Sequence, residues 1–182
     1  MSRLKPKLII LSDIWGIDTD SWIEGYRDFL EPYFQIQLLD ARLLGGIDLS
    51  VSQIDLLHDQ FITKGIANAV NALRTMDTEY VLAFSIGGTI AWKAILQGLQ
   101  LRNLYAVSSS RLRKEQYPLD CDVSLFYGSL DTNMPNSHWQ KKFVNQRIEY
   151  PGERHEFYRK HHYVELITQY IISKLLMSKN TS

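Results

Sequence analysis

Cysteine is almost missing from this chain of 182 residues: Cys121 is the only one. A single thiol cannot close an intramolecular disulfide or build a thiolate metal cluster, and it fits a reducing compartment or indifference to redox state; with an N-terminal apolar run too short for a signal-peptide core, cytoplasmic is the default expectation. An excess of charge is missing too. Lys and Arg total 20 and Asp and Glu total 20, with no basic run to act as an electrostatic footprint, so nucleic acid is not an expected partner. Long apolar runs are also missing. In "MSRLKPKLIILSD" the apolar stretch is only Leu8 to Leu11, too short for a signal-peptide core or a bilayer crossing, and no membrane partner is expected. No internal repeat or low-complexity stretch is visible, and the length suits one domain over residues 1–182, with a frayed tail from about Ser178.

What the chain does contain is an alternation of short apolar runs and longer segments with helical spacing. That pattern predicts an α/β fold with a mainly parallel sheet of about six strands. The predicted strands are Lys7 to Leu11, Gln35 to Leu39, Tyr80 to Phe84, Leu104 to Val107, Val123 to Tyr127 and Arg147 to Tyr150. Between them, Ser21 to Tyr33 reads as a helix with Trp22, Tyr26, Phe29, Leu30 and Tyr33 on one face, ending near Pro32. Ser52 to Met76 reads as a second, with Gly65 a place for a break. A last helix carries Tyr163, Leu166, Ile167, Tyr170 and Ile171 as its apolar stripe. The link "SSSRLRKEQYPLDCD" is too brief for a helical cap, so a site formed there should be open.

The stretch "YVLAFSIGGTIAW" puts Ser85 directly after a buried strand and before a glycine pair that opens a helix. In an open parallel sheet ligands bind at the carboxyl ends of strands, where Ser85 falls. A nucleophile elbow needs small residues two before and two after its serine; here they are Ala83 and Gly87. A serine hydroxyl needs a base, and the base a carboxylate. "YGSLDTNMP" sets Asp131 just past the fifth strand, and "YPGERHEF" sets His155 just past the sixth. Each has a plainer reading, Asp131 as a turn residue accepting local N–H groups and His155 as a solvated loop residue. Asp120 and Asp122 precede their strand, at the wrong end of the sheet. His58, His138, His161 and His162 lie on helices.

Together, the elbow Ala83-Phe84-Ser85-Ile86-Gly87, the "YGSLD" turn and the "GERHEF" loop resemble the α/β-hydrolase family over nearly the whole chain. The resemblance implies a three-layer α/β/α fold and a catalytic triad of Ser85, Asp131 and His155. Departures are Ala83 in place of glycine, the absence of a cap insertion, which gives a fold without a cap domain, and the lack of N-terminal antiparallel strands. One oxyanion-hole donor is then the backbone N–H of Ile86. The loop "LSDIWGID" is similar to that of dienelactone hydrolase-like proteins, which implies Ile14 N–H as the second donor, with Trp15 next. Asp13 would hold the resting serine, shape the pocket or cap the following turn.

Arg111 and Arg113 are candidates for binding a substrate carboxylate, or are surface charge; Trp15, Met134 and Trp139 are candidate apolar walls or core. The expected function is hydrolysis of a small carboxylic ester or thioester through an acyl-enzyme, requiring neither metal nor organic cofactor. Alternatives are peptide or lactone hydrolysis at the same site, or a non-catalytic binding protein of this fold. A flavodoxin-like phosphate binder is disfavoured, because "SDIWG" would oppose phosphate with an acid and a tryptophan.

Overall fold

The computed structural model describes residues 4–17 and 21–180. Six strands form one sheet: β1 (Lys7–Leu11), β2 (Gln35–Leu39), β3 (Tyr80–Phe84), β4 (Asn103–Val107), β5 (Asp122–Gly128) and β6 (Gln146–Tyr150). Their order is β2-β1-β3-β4-β5-β6 and every pairing is parallel, so the mainly parallel sheet expected is wholly so among the described residues. The central strands β3 and β4 are buried on both faces, which is why they read as unbroken apolar runs. The edge strands β2 and β6 are partly exposed and carry Gln, Arg and Glu.

Strand pleating divides the core in two. Leu8, Ile10, Leu82 and Phe84 face one layer, where α1 (Ile23–Leu30) packs on α7 (His161–Asn180). Ile9, Leu11, Val81 and Ala83 face the other, built from α2 (Ala41–Gly45), α3 (Ile54–Gln60), α4 (Ile66–Leu73), α5 (Ile86–Leu96) and α6 (Ser137–Phe143). Helix α5 is buried on nearly every side because it lies in the centre of this layer.

Several helical details differ from expectation. The buried face of α1 is Ile23, Tyr26 and Leu30, leaving Phe29 and Tyr33 partly exposed. The α7 stripe has the expected Ile167 and Ile171 at its centre and Tyr163 and Tyr170 half-buried against the same core, but it takes in Val164 and Thr168 rather than Leu166. Thr168 can be buried because its hydroxyl donates to the Val164 carbonyl at 2.8 Å. That helix runs to Asn180, so the frayed tail expected from Ser178 is helical as far as described, and residues 181 and 182 lie outside the described residues. The predicted break at Gly65 is instead a π-helical turn, Phe61–Gly65, joining α3 to α4 without interruption. The short α2 falls in what reads as a loop. Asp40 caps it, accepting from the N–H groups of Arg42 and Leu43, and left-handed Gly46 ends it.

No described helix is long and apolar enough to cross a membrane. The sheet order reverses at β1, whose neighbours are β2 and β3, and this opens the crevice at the carboxyl ends of β1 and β3. Helix α5 enters that crevice closely packed. A Cβ on Gly88 would lie 1.7 Å from Ser109 Oγ and 2.7 Å from Ser109 Cβ. Helix propensity alone would favour alanine there by about 1 kcal/mol. Overpacking a rigid neighbour costs more, so Gly88→Ala is expected to lower unfolding free energy by about 1–3 kcal/mol in urea titration; an unchanged or raised midpoint would contradict this close approach.

Candidate active site

Ser85 occupies the one-residue turn between β3 and α5 with φ 49° and ψ −117°, a left-handed conformation that a non-glycine residue adopts only under constraint. The constraint is visible. Ser85 N–H donates to the Val107 carbonyl at 2.9 Å, while its own carbonyl accepts from Gly88 N–H at 3.2 Å and Ser110 N–H at 3.3 Å. Of the two small flanking residues, Gly87 is the demanding one. A Cβ there would lie 2.5 Å from the Ser12 carbonyl oxygen, so α5 presses on the loop after β1. Ala83 sits within the ladder opposite Leu11 and Ala106, fully buried, and its methyl joins the core. Alanine in place of the usual glycine therefore leaves the turn intact.

Asp131 lies in a turn after β5, and its two oxygens have separate partners. Oδ1 accepts from Asn133 N–H at 2.8 Å and Oδ2 meets His155 Nδ1 at 2.8 Å. The same carboxylate thus serves its own turn through one oxygen and meets the histidine through the other. The carboxylate side chain is 0 % exposed, and being acceptor-only when ionised it sets the His155 proton on Nδ1. Nε2, left as acceptor, is 3.0 Å from Ser85 Oγ. His155 is held near this turn because Gly128 lets the loop before it come close: a Cβ on Gly128 would be 2.3 Å from the Glu153 carbonyl oxygen. Leu130 N–H donates to that same carbonyl at 2.9 Å.

The loop after β1 supplies the opposite wall. Ile14 N–H has no partner among the described residues, whereas Trp15 N–H donates to Asp13 Oδ1 at 3.0 Å and Gly16 N–H to the Asp13 carbonyl at 3.2 Å. Ile86 is the first residue of α5, and first-turn N–H groups have no intrahelical acceptor. Ile14 and Ile86 both line the cleft, and neither N–H has an acceptor among the described residues; the neighbouring Asp13 and Gly87 N–H groups likewise have none. The Asp13 carboxylate does not hold the serine: it caps the turn at Trp15 and its other oxygen accepts from Tyr158 and Arg159.

A cleft of about 360 Å³ opens over these groups, lined by Asp13, Ile14, Trp15, Ser85, Ile86 and His155 together with Ile54, His58, Ser110, Asn133, Glu156 and Tyr158. Arg111 and Met134 are not in its lining. Met134 is half-buried against the α5-side core, and Arg113, itself outside the lining, donates to the lining residue Asn133 at 3.0 Å to Oδ1. Trp139 is core, in ring contact with Trp92 at 5.4 Å. Ile54 and His58 were not singled out from sequence; their one signal is i, i+4 spacing that puts both on one face of α3. Cys121 lies elsewhere, and burial pushes its thiol up to about 11. Among the described residues no three His, Cys, Asp or Glu side chains gather as metal ligands.

No family model and no curated protein matches the sequence. Solved structures do match the fold. Alpha/beta hydrolase domain-containing protein 10 from mouse superposes with a TM-score of 0.69 at 12% identity, covering 98% of this chain and 92% of that one. A protein assigned as a dienelactone hydrolase, from Klebsiella pneumoniae, gives 0.68 at 14% identity over 95% and 87% of the two chains. The RedJ thioesterase of the prodiginine biosynthetic pathway in Streptomyces coelicolor gives 0.63 at 14% identity over 92% and 89%. The chain has the α/β-hydrolase fold, in a small form built on six parallel strands.

Strain at Ser85 has a measurable consequence. Glycine relieves a positive φ that alanine does not, and such a residue costs of order 1–3 kcal/mol, against less than 1 kcal/mol for glycine's extra chain entropy. Ser85→Gly is expected to be about 1 kcal/mol more stable than Ser85→Ala in urea; equal stabilities would mean the turn carries no strain.

Proposed function

We propose that the protein is a serine hydrolase that cleaves a small carboxylic ester or thioester through an acyl-enzyme. The observation that carries this is the unbroken hydrogen-bonded chain Asp131–His155–Ser85, 2.8 Å and 3.0 Å long at its two links, ending on a serine in a strained turn. Ser85 Oγ attacks the acyl carbon as His155 Nε2 takes its proton; Asp131 keeps the imidazole in the accepting tautomer and stabilises the imidazolium. The tetrahedral oxygen receives the amides of Ile14 and Ile86, helped by the positive end of the α5 dipole. The carbonyl re-forms as the alcohol or thiol leaves with the proton from His155. Water then attacks the acyl-enzyme by the same route and frees the acid.

The lining also narrows the acyl group. Trp15 and Ile54 give apolar walls, and among the described residues no Lys or Arg belongs to the lining while Glu156 does; Arg113, just outside it, is bonded to Asn133. A carboxylate-bearing acyl chain would meet repulsion without a compensating cation, so the preferred acyl group is neutral and largely apolar. The related folds of a thioesterase and of a protein assigned as a dienelactone hydrolase fit this chemistry without selecting among its substrates. The single cysteine keeps the cytoplasm as the expected compartment.

Incubation with a fluorophosphonate, read by intact mass, is expected to give one adduct on the wild-type chain and none on Ser85→Ala; a folded wild type that takes no adduct would reject the mechanism. Among p-nitrophenyl esters, butyrate is expected to exceed the hemisuccinate by at least about tenfold in kcat/KM, a charge-repulsion difference of about 1.4 kcal/mol. Equal rates would refute the assignment of a neutral acyl group.

A further inference from the structure

Asp13 has no place in the reaction just described, yet this buried carboxylate at the carboxyl edge of the sheet takes hydrogen bonds from three donors. Its side chain is 1 % exposed. Oδ1 accepts from Trp15 N–H at 3.0 Å, and Oδ2 accepts from Tyr158 O–H at 2.9 Å and from the Arg159 guanidinium at 2.5 Å. Tyr158 and Arg159 belong to a 3-10 turn, Phe157–Arg159, that begins two residues after His155. One carboxylate therefore ties the loop of Ile14 to the segment that follows His155, across 145 residues of sequence.

We infer that Asp13 is the positioning residue of the site, the clamp that keeps the Ile14 amide presented to Ser85 and sets its distance from the histidine loop. This rests on the hydrolase reading above. The logic is one of acceptor count. By taking the Trp15 N–H, Oδ1 folds the loop so that the amide of Ile14, a residue of the cleft lining, is left without an acceptor. Oδ2 is the only acceptor for the Arg159 side chain among the described residues, whose Nε is buried without a partner. Arg159 in turn lies over the Trp22 ring at 5.6 Å, and the Tyr158 carbonyl accepts from Tyr26 O–H at 2.8 Å, so the far end of the clamp is fixed to α1 and the core.

The protonation states agree with this geometry. Burial, and then the neighbouring Asp13 charge, push the Tyr158 hydroxyl well above its ordinary value, so it remains a donor. Burial alone would pull the Arg159 guanidinium down, but the charge and hydrogen bond of Asp13 outweigh it and the group stays cationic.

Asparagine distinguishes a clamp from a filler. Asp13→Asn has the same shape but only one acceptor oxygen, so it cannot serve Trp15 N–H on one side and Tyr158 with Arg159 on the other. Whichever way the amide turns, an NH₂ faces a donor. Arg159→Met is the companion variant. It keeps an apolar side chain over Trp22, leaves Asp13 Oδ2 with the Tyr158 hydroxyl alone and no counter-charge, and alters no residue that lines the cleft.

The experiment is the rate of fluorophosphonate labelling at 25 °C as a function of reagent concentration, with circular dichroism and thermal melting on the same samples. The maximal rate is expected to fall about 10- to 100-fold in Asp13→Asn, somewhat less than outright loss of an oxyanion donor, with the half-saturating concentration unchanged. Arg159→Met is expected to fall about 3- to 10-fold. A merely structural role would lower the melting temperature yet leave the rate per folded molecule at the wild-type value, and that result in either folded variant overturns the inference. Should Asp13→Asn not fold, the rate of Arg159→Met decides alone. Labelling of wild type that is absent, with the protein folded, rejects the hydrolase reading and this inference with it; labelling that is normal in wild type and in both variants rejects only the clamp.

Discussion

The close approach of α5 to the carboxyl ends of β1 and β4 is the constraint on which the rest of the site depends. It forces Ser85 to a positive φ, and it is permitted only because Gly87 and Gly88 present no side chain to Ser12 and Ser109. The same contact presses the start of the helix, and so the Ile86 amide, against the loop that carries Ile14. A serine at a relaxed strand end would leave its hydroxyl packed among the strands. Here the turn lifts it to the head of the crevice made where the sheet order reverses.

Two buried aspartates then do comparable work on either side of the serine. Asp131 gives one oxygen to its own turn, at Asn133 N–H, and the other to His155. Asp13 gives one oxygen to its own turn, at Trp15 N–H, and the other to Tyr158 and Arg159. In each case a local bond shapes a loop and a distant bond fastens that loop to another. A carboxylate suits this role because it offers two acceptor oxygens at fixed spacing, and burial makes each bond costly to leave unmade. Three loops from distant parts of the chain are held in register in this way without a cap or a metal ligand set among the described residues.

Much of this was legible in the sequence because it follows local rules. Strands β1, β2 and β3 begin and end where their apolar runs do, and β4, β5 and β6 extend one or two residues beyond theirs. The positions of Ser85, Asp131 and His155 follow from the strand ends, since a parallel sheet brings every such end to one edge. What was not legible depends on the angle at which elements meet. The place of Thr168 in the buried stripe of α7 depends on its hydroxyl being satisfied inside the helix. The π turn at Phe61–Gly65 adds no residue signal beyond a glycine, yet it joins α3 and α4 in one run, with Ile54 and His58 at the cleft. Arg111 and Met134 stand in loops at the right edge of the sheet, but outside the cleft lining. Arg159 gave no signal at all, because its acceptor lies 146 residues away.

Whether Ser85, His155 and two backbone amides form one working centre is read from the crystal structure of the phosphonylated protein, in which the adduct stands in for the tetrahedral intermediate. Phosphorus is expected on Ser85 Oγ, with one phosphoryl oxygen roughly 3 Å from both the Ile14 and Ile86 nitrogens and His155 Nε2 facing Oγ or the departed group's position. Phosphorus on another residue, or a phosphoryl oxygen turned to solvent with the two amides left unused, would contradict that arrangement.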